Sequence, residues 1–227
     1  MILDQLLDEQ REFYELRAPE WRDWVERYMG PVASELESLL NDTRALHGTD
    51  VLEIAAGTGY LTQWLAQIAA RVTALDASPA MLSELNRLDL PNVTTICRDV
   101  FEWFPTRRYD AILCANWLSH VPRHLWADHW TTLDDALAPG GVIVAIDATV
   151  DEIPYLGHPW WHSRLEDGHR EALTTRALNN GQRFRVVKRF WEPKDLMAEV
   201  TPLGWAGEHI RVSEDRGIIL YRFWRAV

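Results

Sequence analysis

VLEIAAGTGY, residues 51–60, decides the fold. Its first six residues read as a short strand carrying one acidic side chain, Glu53. The chain then breaks into Gly57-Thr58-Gly59 and enters a segment with helical spacing. Glycines at such a break let the backbone turn tightly and pass close to a ligand. Working outward, the same unit of strand, turn and helix recurs, with strands RVTALD (71–76), VTTIC (93–97), YDAILCA (109–115) and GVIVAID (141–147). Strands this continuously apolar, separated by helical segments, predict a parallel sheet covered on both faces. Ser78-Pro79 marks one helix start, a cap donor ahead of a proline at the first helical position. Pro122 is expected to start another helix, with Leu125, His129/Trp130, Leu133 and Leu137 at helical spacing, His124 and His129 reading as surface or packing residues, and APGG (138–141) to end it.

The flanks are organised differently. Residues 1–46 read as an amphipathic helical cap in which Leu6, Phe13, Leu16, Trp21 and Trp24 form a stripe, with Pro19 interrupting it and a second helix over residues 32–46. Residues 47–147 form the repeating half. Residues 148–227 form a third part. It opens on an aperiodic stretch (148–170) that reads as a crossing segment or partial lid. A hairpin around Asn-Gly, a helix after Pro193 and a last strand at 216–224 follow. At 227 residues the chain has the size of a single domain.

Composition narrows the function. The net charge is -11, and the only lysines are Lys188 and Lys194. An acidic surface argues against nucleic acid as a partner. No NPPY-like motif follows the fourth strand, where Asn116-Trp117-Leu118-Ser119 stands instead, and no Pro-Cys nucleophile occurs. The two cysteines, Cys97 and Cys114, each fall in an apolar run predicted to be a buried strand. With no CxxC or Cys/His cluster, they point to a reducing, cytoplasmic setting and to no metal. The charged N-terminus is expected to be neither a signal peptide nor a membrane span.

Two features of the Gly-rich loop bear on its ligand. A dinucleotide loop usually reads GxGxxG, but here the third glycine position is Thr62. Glu53 also lies where the positive amine of a ligand can sit. Both favour S-adenosylmethionine over a nicotinamide cofactor. Asp76, at the end of the second strand, suits ribose hydroxyls, a role common to both cofactors. Asp99 suits an adenine amino group, with Val100 and Phe101 walling the ring.

The motifs ExAxGTGY (53–60), ALDASPAML (74–82), RDVFEW (98–103) and YDAILCANWLSHVP (109–122) together resemble those of class I S-adenosylmethionine-dependent methyltransferases, over roughly residues 10–225. The resemblance implies an α/β, Rossmann-like three-layer sandwich with a mostly parallel seven-stranded sheet, a reversed last hairpin and N-terminal helices as a partial lid. It implies cofactor contacts at Glu53, Ala55, Gly57, Gly59, Asp76, Ala77, Met81, Asp99, Val100 and Asn116. FYELRAPEW (13–21) is similar to the family's N-terminal helix, which implies Tyr14 and Arg17 over the methionine carboxylate.

Methyl transfer from a sulfonium is an in-line displacement, so the acceptor belongs beyond the C-terminal ends of the fourth and fifth strands. His120 follows the fourth strand and suits a base or a hydrogen-bond donor. A two-residue Asn180-Gly181 turn would put Arg176 and Lys188 on opposite faces of the hairpin. A three-residue turn over 179–181, with left-handed Gly181, puts Arg176, Phe184, Val186 and Lys188 on one face, and is the expected register. Tyr28, in VERYMGP, would lie where the N-terminal lid folds over the cleft. ANWLSHVP and residues 174–205 resemble, more narrowly, a phosphonate O-methyltransferase of dehydrophos-like antibiotic biosynthesis. That resemblance implies anion recognition by Tyr28, Arg176 and Lys188, with His120 nearby. The sequence departs from it at Asn116 and in the Trp-rich stretch Trp160, Trp161 and His162. The expected partner is therefore a small anionic or aromatic acceptor, with no membrane and with a homodimer possible. A phenol or amine acceptor, and a non-catalytic nucleotide-binding protein, are the alternatives.

Overall fold

The computed structural model describes residues 2–149, 164–165, 173–213 and 216–226. Trp160, Trp161, His162 and nearly all of the aperiodic stretch lie outside the described residues.

The apolar repeats form the expected sheet. β1 (Asp50–Ile54), β2 (Arg71–Asp76), β3 (Val93–Cys97), β4 (Tyr109–Ala115) and β5 (Leu137–Ala148) run parallel, in the order β3-β2-β1-β4-β5. The antiparallel pair β9 (Trp205–Ser213) and β10 (Ile218–Arg225) completes seven strands, with β10 against β5. The order reverses between β1 and β4. Open α/β sheets bind ligands at the carboxyl ends of the strands on either side of such a reversal.

Both faces are covered, which is why the strands are apolar throughout. On one side, α1 (Ile2–Met29), α2 (Ala33–Asn41) and α3 (Thr62–Ile68) bury residues such as Trp24, Leu36, Leu40 and Leu65 against Val51, Leu113 and Val144. On the other, α5 (Trp126–Ala136) and α6 (Pro193–Val200) bury Trp130, Leu133, Leu196 and Val200 against Ile112, Ile143 and Phe223. α4 (Pro79–Asn86) starts as its sequence predicts, with Ser78 Oγ accepting from the Met81 N–H at 3.0 Å. A small antiparallel sheet of β6 (Arg164–Leu165), β7 (Leu173–Ala177) and β8 (Arg183–Val187) stands apart from the main one.

Four local expectations are corrected. Pro19 does not interrupt α1, which is continuous through it. The proline is exposed, and Phe13 and Ala18 before it and Trp24, Val25 and Tyr28 after it are buried, so packing of both halves outweighs one missing backbone hydrogen bond. The helix expected over 32–46 ends at Asn41 and resumes only as a 3-10 turn, Arg44–Leu46. Pro122 precedes a 3-10 turn, Arg123–Leu125, and α5 starts at Trp126. α5 also stops before APGG, because β5 already begins at Leu137. Cys97 is exposed, since β3 is an edge strand, whereas Cys114 is buried. Both are free thiols. Among the described residues no helix is long and apolar enough to cross a membrane.

Trp130 packs on Trp126, Trp205 and Phe223 and ties α5 to the last hairpin. Trp130→Ala should therefore lower the unfolding free energy by about 3–5 kcal/mol, measured as a fall in the denaturant midpoint at constant slope.

Candidate active site

The carboxyl ends of β1 and β4 carry two strained residues. Ala55 (φ 55°) and Asn116 (φ 51°) are left-handed without being glycine, a conformation that costs free energy and clusters at functional sites. Both line a cleft enclosing about 1130 Å³ of empty space, its open mouth included.

The floor of the cleft is the Gly-rich loop. Gly57 (φ 58°) is left-handed, and a Cβ there would come within 3.2 Å of the Trp21 indole nitrogen, so the loop and α1 approach closely only because it is glycine. Gly59 lies behind the cleft rather than in its wall, and a Cβ on it would lie 2.9 Å from Leu85. Its role in the structure is to pack the loop on α4. Asp76, ending β2, accepts from the Gly57 N–H and from the Ser78 N–H, each at 2.8 Å. Burial raises its pKa against these hydrogen bonds. Glu53 is buried, and burial pushes its carboxyl up to about 8. The Thr62 hydroxyl opposes this by donating to it at 2.6 Å, and the Asp76 charge adds to it. The residue standing at the third glycine position is thus the hydrogen-bond partner of Glu53. Ala77, Met81, Asp99, Val100 and Asn116 also line the cleft. Asp99 accepts from the Phe101 N–H at 2.9 Å and pairs with Arg11 at 2.7 Å.

α1 roofs the cleft. Tyr14 lines it and Arg17 lies just behind, buried against Phe13, Trp21 and Trp24. Burial and the nearby Arg176 hold the Arg17 pKa down to about 10. Polar contacts fasten this helix on both sides. Glu15 accepts from Ser78 Oγ at 2.5 Å and from the Ala80 N–H at 3.1 Å. Gln10 accepts from the Val187 N–H at 3.0 Å, and Glu9 from the Arg185 side chain at 2.9 Å.

The hairpin has the expected register, with Arg176 opposite Phe184 and Thr174 opposite Val186. Arg176, Phe184, Val186 and Lys188 all face inward. Arg176 Nη1 donates to the Tyr14 hydroxyl at 3.3 Å, and that hydroxyl lies 3.1 Å from His120 Nε2. His120 Nδ1 meets the Val187 carbonyl, which can only accept. The imidazole proton is therefore on Nδ1, and Nε2 accepts from Tyr14. Burial, then the charges of Arg176 and Lys188, hold His120 well below the usual histidine range against that carbonyl contact, so the ring is neutral. Lys188 Nζ lies 3.2 Å from Ser119 Oγ and 3.6 Å from the buried Asp147.

The structure thus places Tyr14 and His120 in the wall at one end of the cleft, with Arg17 and Arg176 buried behind them. Lys188 stands one layer further back and Tyr28 stands apart. Tyr28 is buried in an aromatic stack, 4.9 Å from Trp24, and does not line the cleft. Sequence reasoning passed over Trp21, Arg11 and Gln10, which do line it. The spacing of Tyr14 and Trp21, seven residues apart, was the available signal, since it places both on one helix face.

A methyltransferase-domain family model matches residues 51–141. The chain is similar to DhpI in its complex with SAM and HEP, at 36% identity over 96% of this chain and 97% of that one, with a TM-score of 0.83. It matches the DhpI complex with S-adenosylhomocysteine (SAH) at 34% identity, 97% coverage of both chains and a TM-score of 0.81. The chain belongs to the class I S-adenosylmethionine-dependent methyltransferases, and its cofactor is S-adenosylmethionine (SAM). Within that class it is closely related to DhpI. It is also 34% identical, over 116 residues, to a protein-L-isoaspartate O-methyltransferase of Azorhizobium caulinodans. The match spans 48% of this chain and 50% of that curated relative, about half the length of each.

An acid whose folded pKa is raised contributes stability that is present below its unfolded value and lost as pH rises through the folded one. With Glu53 moved from 4.5 to about 8, the ligand-free protein should lose stability as pH climbs across that window. Glu53→Gln should flatten the slope in melting temperature against pH.

Proposed function

We propose that the protein transfers the methyl group of SAM to an anionic oxygen of a small acceptor, a phosphonate first and a carboxylate second. The observation that carries this reading is electrostatic. Arg176 donates to the Tyr14 hydroxyl at 3.3 Å, and Lys188, offset by Asp147 at 3.6 Å, lies 3.2 Å from Ser119 Oγ, both behind the corner that Tyr14 and His120 line. After burial, the larger cause, Arg176 also lowers the Arg17 pKa, and Arg176 with Lys188 that of His120. An anionic group there gains charge-assisted hydrogen bonds from guanidinium donors. The close relation to DhpI, solved with SAM and HEP, supports the reading, as does the resemblance of the hairpin to a phosphonate O-methyltransferase.

SAM would supply an activated methyl group, which the acceptor oxygen would take as the carbon–sulfur bond breaks, leaving SAH and a methyl ester. An oxygen that is already anionic has no proton to lose, so the site needs no strong base. Neutral His120, already accepting from Tyr14, fits that requirement. The contribution of this chain is alignment and exclusion of water. Asp76 would take the ribose, Asp99 the adenine amino group and Glu53 the positively charged methionine end. Glu53 would ionise as that charge arrives. Gly57, Ala55, Ala77, Met81, Val100 and Asn116 would wall the cofactor. Arg17 is suited to the cofactor carboxylate and Arg176 to the acceptor anion. Tyr14 takes the hydroxyl role that the resemblance gives to Tyr28, and Lys188 acts from behind through Ser119. The free thiols Cys97 and Cys114 support a reducing, cytoplasmic setting.

A phenol acceptor is the second reading, favoured by the Tyr14–His120 contact. SAH release separates the two. With a simple phosphonate, Arg176→Met should cut kcat/KM by about 100-fold, the loss of a charged hydrogen-bonding partner. His120→Asn should cost less than about tenfold, because orientation rather than proton removal supplies the rate. Turnover confined to phenols, abolished by His120→Asn and indifferent to Arg176→Met, would overturn the anion reading.

A further inference from the structure

His129 lies on α5 behind the cleft, not in its wall, and is only 2% exposed. Its Nε2 is 3.3 Å from the indole nitrogen of Trp117. An indole N–H can only donate, so Nε2 is the acceptor and the ring proton sits on Nδ1. That Nδ1 is buried with no hydrogen-bond partner among the described residues. Burial lowers the pKa to about 3, so the acceptor lone pair persists at neutral pH.

A buried imidazole with one donor unsatisfied is less stabilising than an apolar side chain of similar size. What it supplies in exchange is the orientation of Trp117. Trp117 follows strained Asn116, lines the cleft and packs on Phe101 with ring centroids 5.5 Å apart at 34°. His129 meets both rings edge-on, at 6.1 Å and 6.0 Å. Phe101 in turn donates its backbone N–H to Asp99. A line of contacts therefore runs from His129 through Trp117 and Phe101 to the carboxylate placed for the adenine amino group.

We propose that His129 is a positioning residue for cofactor binding: its bond to the indole N–H fixes the plane of Trp117, and with Phe101 this sets the wall on which the adenine of SAM packs. The inference rests on the cleft holding SAM. His129 touches neither cofactor nor acceptor, and its effect is on affinity for the nucleoside.

The test is SAH binding by titration calorimetry, with melting curves alongside. His129→Leu removes the acceptor and should weaken SAH by about tenfold, while the acceptor KM stays within a factor of two. His129→Gln, whose amide oxygen can accept from the indole, should bind within about threefold of the wild type. Trp117→Phe should weaken SAH by as much as His129→Leu. The double variant should be no weaker than Trp117→Phe alone, because the two act through one contact. If His129→Leu does not fold, His129→Asn, with a shorter amide, takes its place. Wild-type affinity in the leucine variant, or additive losses in the double variant, would overturn the inference. Absence of SAH binding by the wild type would overturn the cofactor reading itself and this inference with it.

Discussion

The carboxylate of Asp76 holds two backbone N–H groups at once, Gly57 at the turn after β1 and Ser78 at the cap of α4. That one side chain joins the ends of two strands and the start of a helix into a rigid shelf. The rest of the site depends on it. Ser78, so placed, caps α4 and donates to Glu15, which brings α1 down over the shelf. Trp21 then lies against Gly57, and a cleft exists between roof and floor.

The roof is held differently from the floor. Strands and covering helices are joined by apolar packing, which is non-directional and cooperative. α1 packs apolar side chains too, but above the cleft it is fastened by single polar contacts: Arg11 to Asp99, Glu15 to Ser78, Gln10 to Val187 and Glu9 to Arg185. Partly exposed polar contacts are individually worth little. Arg11 and Glu15 reach Asp99 and Ser78, which line the cleft, and Gln10 and Glu9 reach the hairpin strand β8.

Charge in the site is distributed by burial. On the side of the Gly-rich loop, burial raises the pKa of Glu53 and Asp76, and that of Glu53 to about 8. At the other end Arg17, Arg176 and Lys188 are cations beside a histidine kept neutral. Lys188 is anchored by Asp147, which also accepts from the Ser119 N–H at 2.8 Å. The loop that carries His120 is thus tied to the end of β5. The two ends of the cleft are electrostatic opposites, buried acids at one and cations behind the wall of the other.

Local chemistry made much of this legible from the residues alone. Apolar runs at regular spacing, glycines after β1, an acid at the end of β2 and a Ser-Pro helix start each depend on neighbours within a few residues, so the parallel sheet and the cofactor shelf could be read directly. The hairpin register was legible for the same reason, since left-handed Gly181 (φ 87°) selects the turn. Pro19 misled because the local cost of a proline is smaller than the packing of a whole helix, which depends on residues far away in the chain. Tyr28 and Tyr14 cannot be ranked from sequence, because both lie on α1 and only the angle at which that helix crosses the sheet decides which hydroxyl faces the cleft. The parallel sheet and the Gly-rich shelf were legible in the residues because their parts are close in the chain. The cluster of Tyr14, His120 and Arg176 came from the folded chain alone, because packing brings Tyr14 to residues more than a hundred positions away.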